Sequence, residues 1–238
     1  MVPPLRRKVI LRMPQTTPGE AAPRLRAPRG RASSRQQVLA TALELIDDEG
    51  MEALTIRRLA AELSIGVTTV YGYVRTKEEI LDGVTSLALE AVRLDPARQP
   101  QWPNAIRAYL HALYSALRAH PGATQVIASG RTPGAPFDDF RDAGICALEA
   151  AGFPKRDAVT SLSALYSYVV GFAATAGDPA GRQTQDLARV KSLPSERYPA
   201  LIDAAAEFSS RFSNEAFEFG LDRLLEGLLA WRSQADAN

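Results

Sequence analysis

Between residues 33 and 79 the chain starts four helices and stops three, and that punctuation leaves little choice of architecture. Ser33 and Ser34 each have a glutamine three residues on, so a hydroxyl can take an N3 amide while the glutamine reaches back. Val38, Leu39, Ala42, Leu45 and Ile46 then keep one face apolar, and Gly50 ends the helix. Thr55 caps a short second helix to about Glu62, with Leu59 and Leu63 inward. Leu63-Ser64-Ile65 makes a tight turn, and a third short helix runs to about Tyr73. Thr76 to Glu79 is another capping box, its acids where the helix dipole favours them, and it launches a helix over 76–93. Two short helices joined by about three residues, after a longer one, have helix-turn-helix geometry.

The break at Asp95–Pro103 separates this unit from further helices. One carries Ile106, Tyr109, Leu110, Leu113 and Leu117 and ends at His120-Pro121-Gly122. Others are expected over about 123–129, 136–151, 154–176, 195–212 and 214–233, with a polar loop at 178–194. No run of alternating β-branched residues suggests a sheet. The expectation is an all-α protein in three parts: an arm at 1–32, a helix-turn-helix unit at 33–94 and a larger helical domain at 95–238.

Charge is distributed unevenly. Lys and Arg number 28 against 27 Asp and Glu, yet residues 1–35 hold nine basic side chains and a single acid, Glu20. Residues 36–94 instead carry five basic and ten acidic side chains. The arm, with six prolines, is either a flexible phosphate-contacting anchor that offsets this acidity or an inert extension. The lone Cys146 excludes an internal disulfide, and two histidines argue against a multi-histidine metal centre. Residues 158–177 are uncharged and long enough to span a bilayer, but they contain seven hydroxyl side chains and are closely flanked by charges. They read as a buried helix. No secretory signal opens the chain, so a cytoplasmic protein without a membrane partner is expected.

Residues 50–81, GMEALTIRRLAAELSIGVTTVYGYVRTKEEIL, resemble the N-terminal domain of the TetR family of bacterial transcriptional repressors. The matched frame is Gly50, Leu54 to Arg57, Leu59-Ala60, Leu63, Ile65, Val70-Tyr71, Tyr73-Val74, Lys77 and Leu81. The resemblance implies that residues 67–73 form a recognition helix. It further implies that Thr69, Tyr71 and Lys77 contact DNA backbone and that Arg57 can reach a guanine. The residues point the same way. Gly66 to Tyr73 has no charge, Thr68 and Thr69 can donate to phosphates or base edges, and Val67 can pack on a thymine methyl. The hydroxyls of Tyr71 and Tyr73 suit the backbone. Two departures stand out: the turn residue, usually glycine, is Ser64, and Gly72 replaces a bulkier position near the helix end.

From Trp102 through Val126, Arg131, Gly152-Phe153 and Gly171 to Ala216–Leu221, the chain resembles the ligand domain of tetracycline repressors. The family's metal-binding histidine falls on Ile127, polar drug contacts on Tyr109 and Gly144, a glutamate on Thr175 and an aromatic on Leu113, while Arg131 stays at an arginine position. Magnesium needs oxygen or nitrogen ligands, so no metal, cofactor or tetracycline–magnesium chelate is expected. An apolar cavity is expected instead, lined by Tyr109, Leu113, Ile127, Phe140, Cys146, Tyr166 and Phe172 with Arg131 near its mouth. A small, mostly apolar effector suits it; a filled core is the competing reading of these residues.

Ser161, Ala164 and Gly171 on one apolar helix are small enough for close contact. On the last helix Leu224 and Trp231 share a stripe, with Leu221 and Leu228 beside it. These residues suit a four-helix homodimer interface, because a helix-turn-helix needs a second copy to reach successive major grooves of a palindromic operator. Both helices merely filling the monomer core is the alternative. His111 and His120 read as surface or capping residues, Cys146 as a small buried hydrophobe, and Asp138-Asp139 as a solvated face. No catalytic constellation is legible, so no enzyme is expected. The reading is a ligand-released repressor. The competitor is a helical carrier or enzyme that has lost specific DNA binding, favoured by Ser64 and by the acidic first unit.

Overall fold

The computed structural model describes residues 34–93, 101–131, 134–176 and 179–235, and within them twelve α-helices and no strand. The basic arm lies outside the described residues. Helix α1 (Arg35–Glu49) uses the second of the two serines: Ser34 Oγ accepts the Gln37 N–H at 3.2 Å. Gly50 closes it at φ 86°, where a side chain would be strained. After a 3-10 turn at Met51–Ala53, α2 (Ile56–Glu62) is capped by Thr55 through the Arg58 N–H at 3.1 Å. Helix α3 (Val67–Tyr71) follows, then α4 (Lys77–Ala88). The second capping box is complete, since Thr76 Oγ1 takes the Glu79 N–H and the Glu79 carboxylate takes the Arg75 N–H.

The fourth helix ends at Ala88, about a turn short of expectation. Leu89 and Val92 leave it to enter a different hydrophobic core from the one α4 serves, and a continuing helix would carry them past it. The first core packs Val38, Leu43, Ile46, Leu59, Val70 and Ile80 together.

Helices α5 (Trp102–Ala119), α6 (Pro121–Ala128), α7 (Ala135–Ala150) and α8 (Lys155–Ala176) begin the larger body. Helices α9 (Pro179–Lys191), α10 (Pro199–Asp203), α11 (Ala205–Ser209) and α12 (Asn214–Ala235) complete it. The expected loop at 178–194 is therefore mostly helix. Its polar composition hid one buried anchor, Val190, and an ion pair from Asp186 to Arg211 at 2.8 Å. The single helix expected at 195–212 is two short ones, broken at Ala204. Helix α8 has a length and a mean hydropathy of 1.3 compatible with crossing a membrane, but Ala158, Leu162, Leu165, Val169 and Ala173 are buried against other helices.

Stacked rings dominate the second core, with Tyr109 on Phe140 at 3.7 Å and Tyr114 on Phe217 at 3.8 Å between centroids. Helix α6 belongs to both cores: Ala123 and Val126 fill the first, Ile127 the second. Gly122, at its start, lies so close to the Ile46 carbonyl that a Cβ there has no room.

Candidate nucleic-acid interface and sensing body

Helix α3 divides its side chains cleanly. Val70 is buried among Leu59, Val74 and Ile80, while Val67, Thr68, Thr69 and Tyr71 face solvent. Val67 is 39% exposed and Tyr71 51%, a large share for apolar or aromatic side chains on so short a helix. Arg57 is exposed on α2, whereas its neighbour Arg58 is held by Glu49 at 2.7 Å and Glu62 at 2.6 Å. Lys77 is half-buried, its Nζ donating to the Met51 carbonyl at 3.4 Å. Tyr73 is half-buried and packs on the first core, so it is less free than Tyr71. The turn is held by Ser64 at φ 53°, the one non-glycine residue with positive φ among those described. A side chain at that φ carries a steric cost that glycine does not.

Besides the packing of α6 into both cores, polar contacts join the unit to the body at two points. Asp47, near the end of α1, accepts the Gly122 N–H at 2.8 Å through one oxygen, and its other oxygen lies 2.7 Å from His120 Nδ1. An ionised carboxylate only accepts, so Nδ1 is the protonated, donating nitrogen. His120, expected at the surface or as a cap, does end α5 and begin α6, but it is buried there, because Asp47 from 73 residues away supplies its partner. The second point is Arg131, just after α6, which pairs with Asp82 on α4 at 2.9 Å.

Within the body, Tyr109, Leu113, Ile127 and Phe140 are buried in one cluster, and Tyr166 packs on Phe137 at 4.1 Å beside it. Burial drives the Tyr109 hydroxyl well above the ordinary phenol range, with the Tyr166 hydroxyl adding to it and Arg93 opposing. Burial pushes Tyr166 up to about 12. Both are neutral donors at physiological pH. Phe172 packs instead against Tyr114, Phe212 and Phe217, at the edge of the same core. Cys146 is exposed on α7, a correction to its expected burial: Leu148 and Gly144 face inward, and Cys146 points away from them. Among the described residues no group of three His, Cys, Asp or Glu side chains is placed to hold a metal ion.

The expected dimer residues also separate. Ser161 and Leu221 are buried in the monomer's own core, so neither is free for a partner; the apolar stripes on α8 and α12 are wide enough to serve both faces. Leu224 and Leu228 are half-buried. Ala164 and Gly171 are exposed, as are Trp231, Leu229 and, at 67%, Phe219. Trp231 also stacks on Phe153 at 5.3 Å. His111, expected on the surface, is half-buried and reaches Glu218 on α12 at 3.2 Å, beside an Arg107–Asp222 pair at 2.6 Å.

The Asp47–His120 joint carried no sequence signal, since neither residue sits in a motif. Tyr114 was also missed, although it falls between Leu110 and Leu117 on the buried side of α5.

Residues 38–84 match the family model for bacterial regulatory proteins of the tetR family, and residues 95–232 match the tetracyclin repressor-like C-terminal domain. An HTH-type transcriptional regulator of Saccharopolyspora erythraea is 32% identical over 139 residues, the match spanning 58% of each protein. The tetracycline repressor protein class C of Escherichia coli is 30% identical over 200 residues, 82% of this chain and 90% of that one. Among solved structures, the Streptomyces coelicolor TetR family protein ActR in complex with (S)-DNPA has a TM-score of 0.70 at 28% identity, covering 83% of this chain and 97% of ActR. Two short helices, the second with an uncharged outer face, a helical body behind them and matches across both parts lead to one assignment: the chain belongs to the TetR family of bacterial transcriptional regulators, DNA-binding proteins that respond to ligands.

Proposed function

We propose that the chain is a homodimeric, cytoplasmic repressor that reads a palindromic operator and is released by a small, mostly apolar effector. The observation that carries the reading is the outer face of α3. Four adjacent or near-adjacent side chains, Val67, Thr68, Thr69 and Tyr71, face solvent without a charge among them, and Arg57 and Lys77 flank them. A hydroxyl and methyl surface of that kind suits base edges and phosphates, with the cations fixing register. The exposed Phe219 and Leu229, with Ala164 and Gly171, supply a face for a second copy.

The effector reading rests on the apolar neighbourhood of Tyr109, Leu113, Ile127, Phe140 and Tyr166. Ile127 offers no donor to a metal, so a magnesium–tetracycline chelate is not the ligand. Signal passes through α6, which packs into both cores and is tied to α1 by Asp47 and to α4 by Arg131. A ligand that favours one position of α6 shifts the spacing of the two reading heads. No step of this scheme requires turnover.

Selection of bound duplexes from random DNA near physiological salt tests the proposal. Recovery of a palindrome with half-sites about 34–36 Å apart, or a multiple, is expected. Sequence-blind, salt-sensitive retention would instead favour a carrier or enzyme with a basic tail.

A further inference from the structure

Among the described residues, the Tyr114 hydroxyl and Arg118 Nη1 are buried and have no hydrogen-bond partner. The two residues are one turn apart on α5, so both project from the same side of that helix. Tyr114 is only 7% exposed and is wedged by ring contacts against Phe172 of α8 and Phe217 of α12. The neighbouring Tyr168 hydroxyl has its own acceptor, the Phe217 carbonyl at 2.9 Å, and does not serve Tyr114. Glu218, whose charge acts on the Tyr114 phenol, is engaged by His111 at 3.2 Å and by Arg107 at 3.9 Å. Burial raises the Tyr114 pKa while the Arg118 charge lowers it, which places the cation within electrostatic reach of the phenol.

Orphaned buried donors are costly and rare, and a phenol beside a guanidinium asks for one kind of occupant. Guanidinium only donates and phenol readily donates, so the missing group is an acceptor, and the positive charge favours a negative one. The surrounding rings favour a flat apolar body behind that acceptor.

We propose that Tyr114 and Arg118 form an anion-holding subsite of the sensing body, selecting an aromatic effector that carries a carboxylate or an ionised phenol. This rests on the effector-sensing reading above and narrows it: the ligand is apolar over most of its surface and anionic at one end.

Calorimetric titration of the full chain with 2-naphthoate and with 2-naphthamide, similar in shape and different in charge, tests the subsite. Naphthoate should bind about tenfold more tightly. Arg118→Met should bring the ratio to about one while leaving the amide's affinity in place, and Tyr114→Phe should fall between. Without ligand, both variants should melt at or above the wild-type temperature, because each deletes a buried polar group that lacks a partner. Equal affinities for the two probes, no heat from either at about 1 mM, a preference that survives Arg118→Met, or a lower melting temperature in both variants overturns the proposal. Operator binding by the same proteins separates the two ideas. If it persists without probe preference, only the anion subsite fails; if the wild type binds no specific duplex, the regulatory reading fails.

Discussion

Helices α3 and α5 both carry tyrosine, and they use it in opposite ways. Tyr71 of α3 stands in solvent without a ring partner among the described residues, whereas Tyr109 and Tyr114 of α5 lie stacked on Phe140 and Phe217. An exposed ring on a five-residue helix contributes little to the fold, because it buries little area. A stacked ring between long helices contributes a great deal. The contrast teaches where function and stability can be separated in this chain. At α3 they sit on opposite sides of one helix, and at α5 they share the same buried side.

The largest expected effect lies in the body. Phe217→Ala should cost about 3–5 kcal/mol in denaturant unfolding, since four ring partners, His111, Tyr114, Tyr168 and Phe172, lose contact at once. Tyr71→Ala should change stability by less than about 0.5 kcal/mol. Similar losses for the two would erase the distinction. Next comes the joint between the regions: Asp47→Ala strands His120 and the Gly122 N–H together, and about 2–3 kcal/mol should be lost. An unchanged midpoint would mean that the joint holds nothing. On the reading side, Tyr71→Ala should weaken binding to the selected operator about tenfold, some 1.4 kcal/mol, in a gel-shift titration. Full affinity would remove Tyr71 from the interface.

A smaller change should run in the stabilising direction. Ser64→Gly relieves the positive φ of the turn and should raise stability by about 1 kcal/mol, with operator affinity unchanged. The smallest effect concerns pH. Burial lowers the His111 pKa below 6.5, Glu218 opposing, so the unfolded chain takes up that proton first as pH falls. The stability that neutral His111 contributes is therefore complete above about pH 6.5 and is lost as pH falls toward the folded pKa. Melting curves of His111→Gln should show a shallower loss over that window than the wild type; parallel curves would show that another group governs it.

Much of the reading unit was legible because its signals are local. Ser34, Thr55 and Thr76 cap helices through amides three residues away, and Gly50 and Ser64 mark turns within the same stretch. The exposed face of α3 was legible for the same reason: a run without charge or large aliphatic spacing can only be half-buried. The body was read less completely. Its helices follow from glycine and proline breaks, but α9 reads as a loop because polar residues on a solvated face outnumber its inward anchor, Val190. The apolar company of Gly144, Ile145 and Leu148 suggests an inward Cys146, yet Cys146 is about 200° around α7 from both Gly144 and Leu148, so composition alone does not say which side faces the core. Ser161 and Leu221 show the same limit on α8 and α12, where small and apolar residues surround the helix and periodicity cannot say which stripe is already covered.

By itself the sequence determined the all-α class, the helix-turn-helix and the family, because capping, turn chemistry and helical periodicity act over a few residues. Only the tertiary structure decided that α6 serves two cores, that His120 is buried on Asp47, and that Tyr114 and Arg118 are left without partners. Those outcomes depend on groups brought together from distant parts of the chain, and whether a polar atom is satisfied is a property of its neighbours in space.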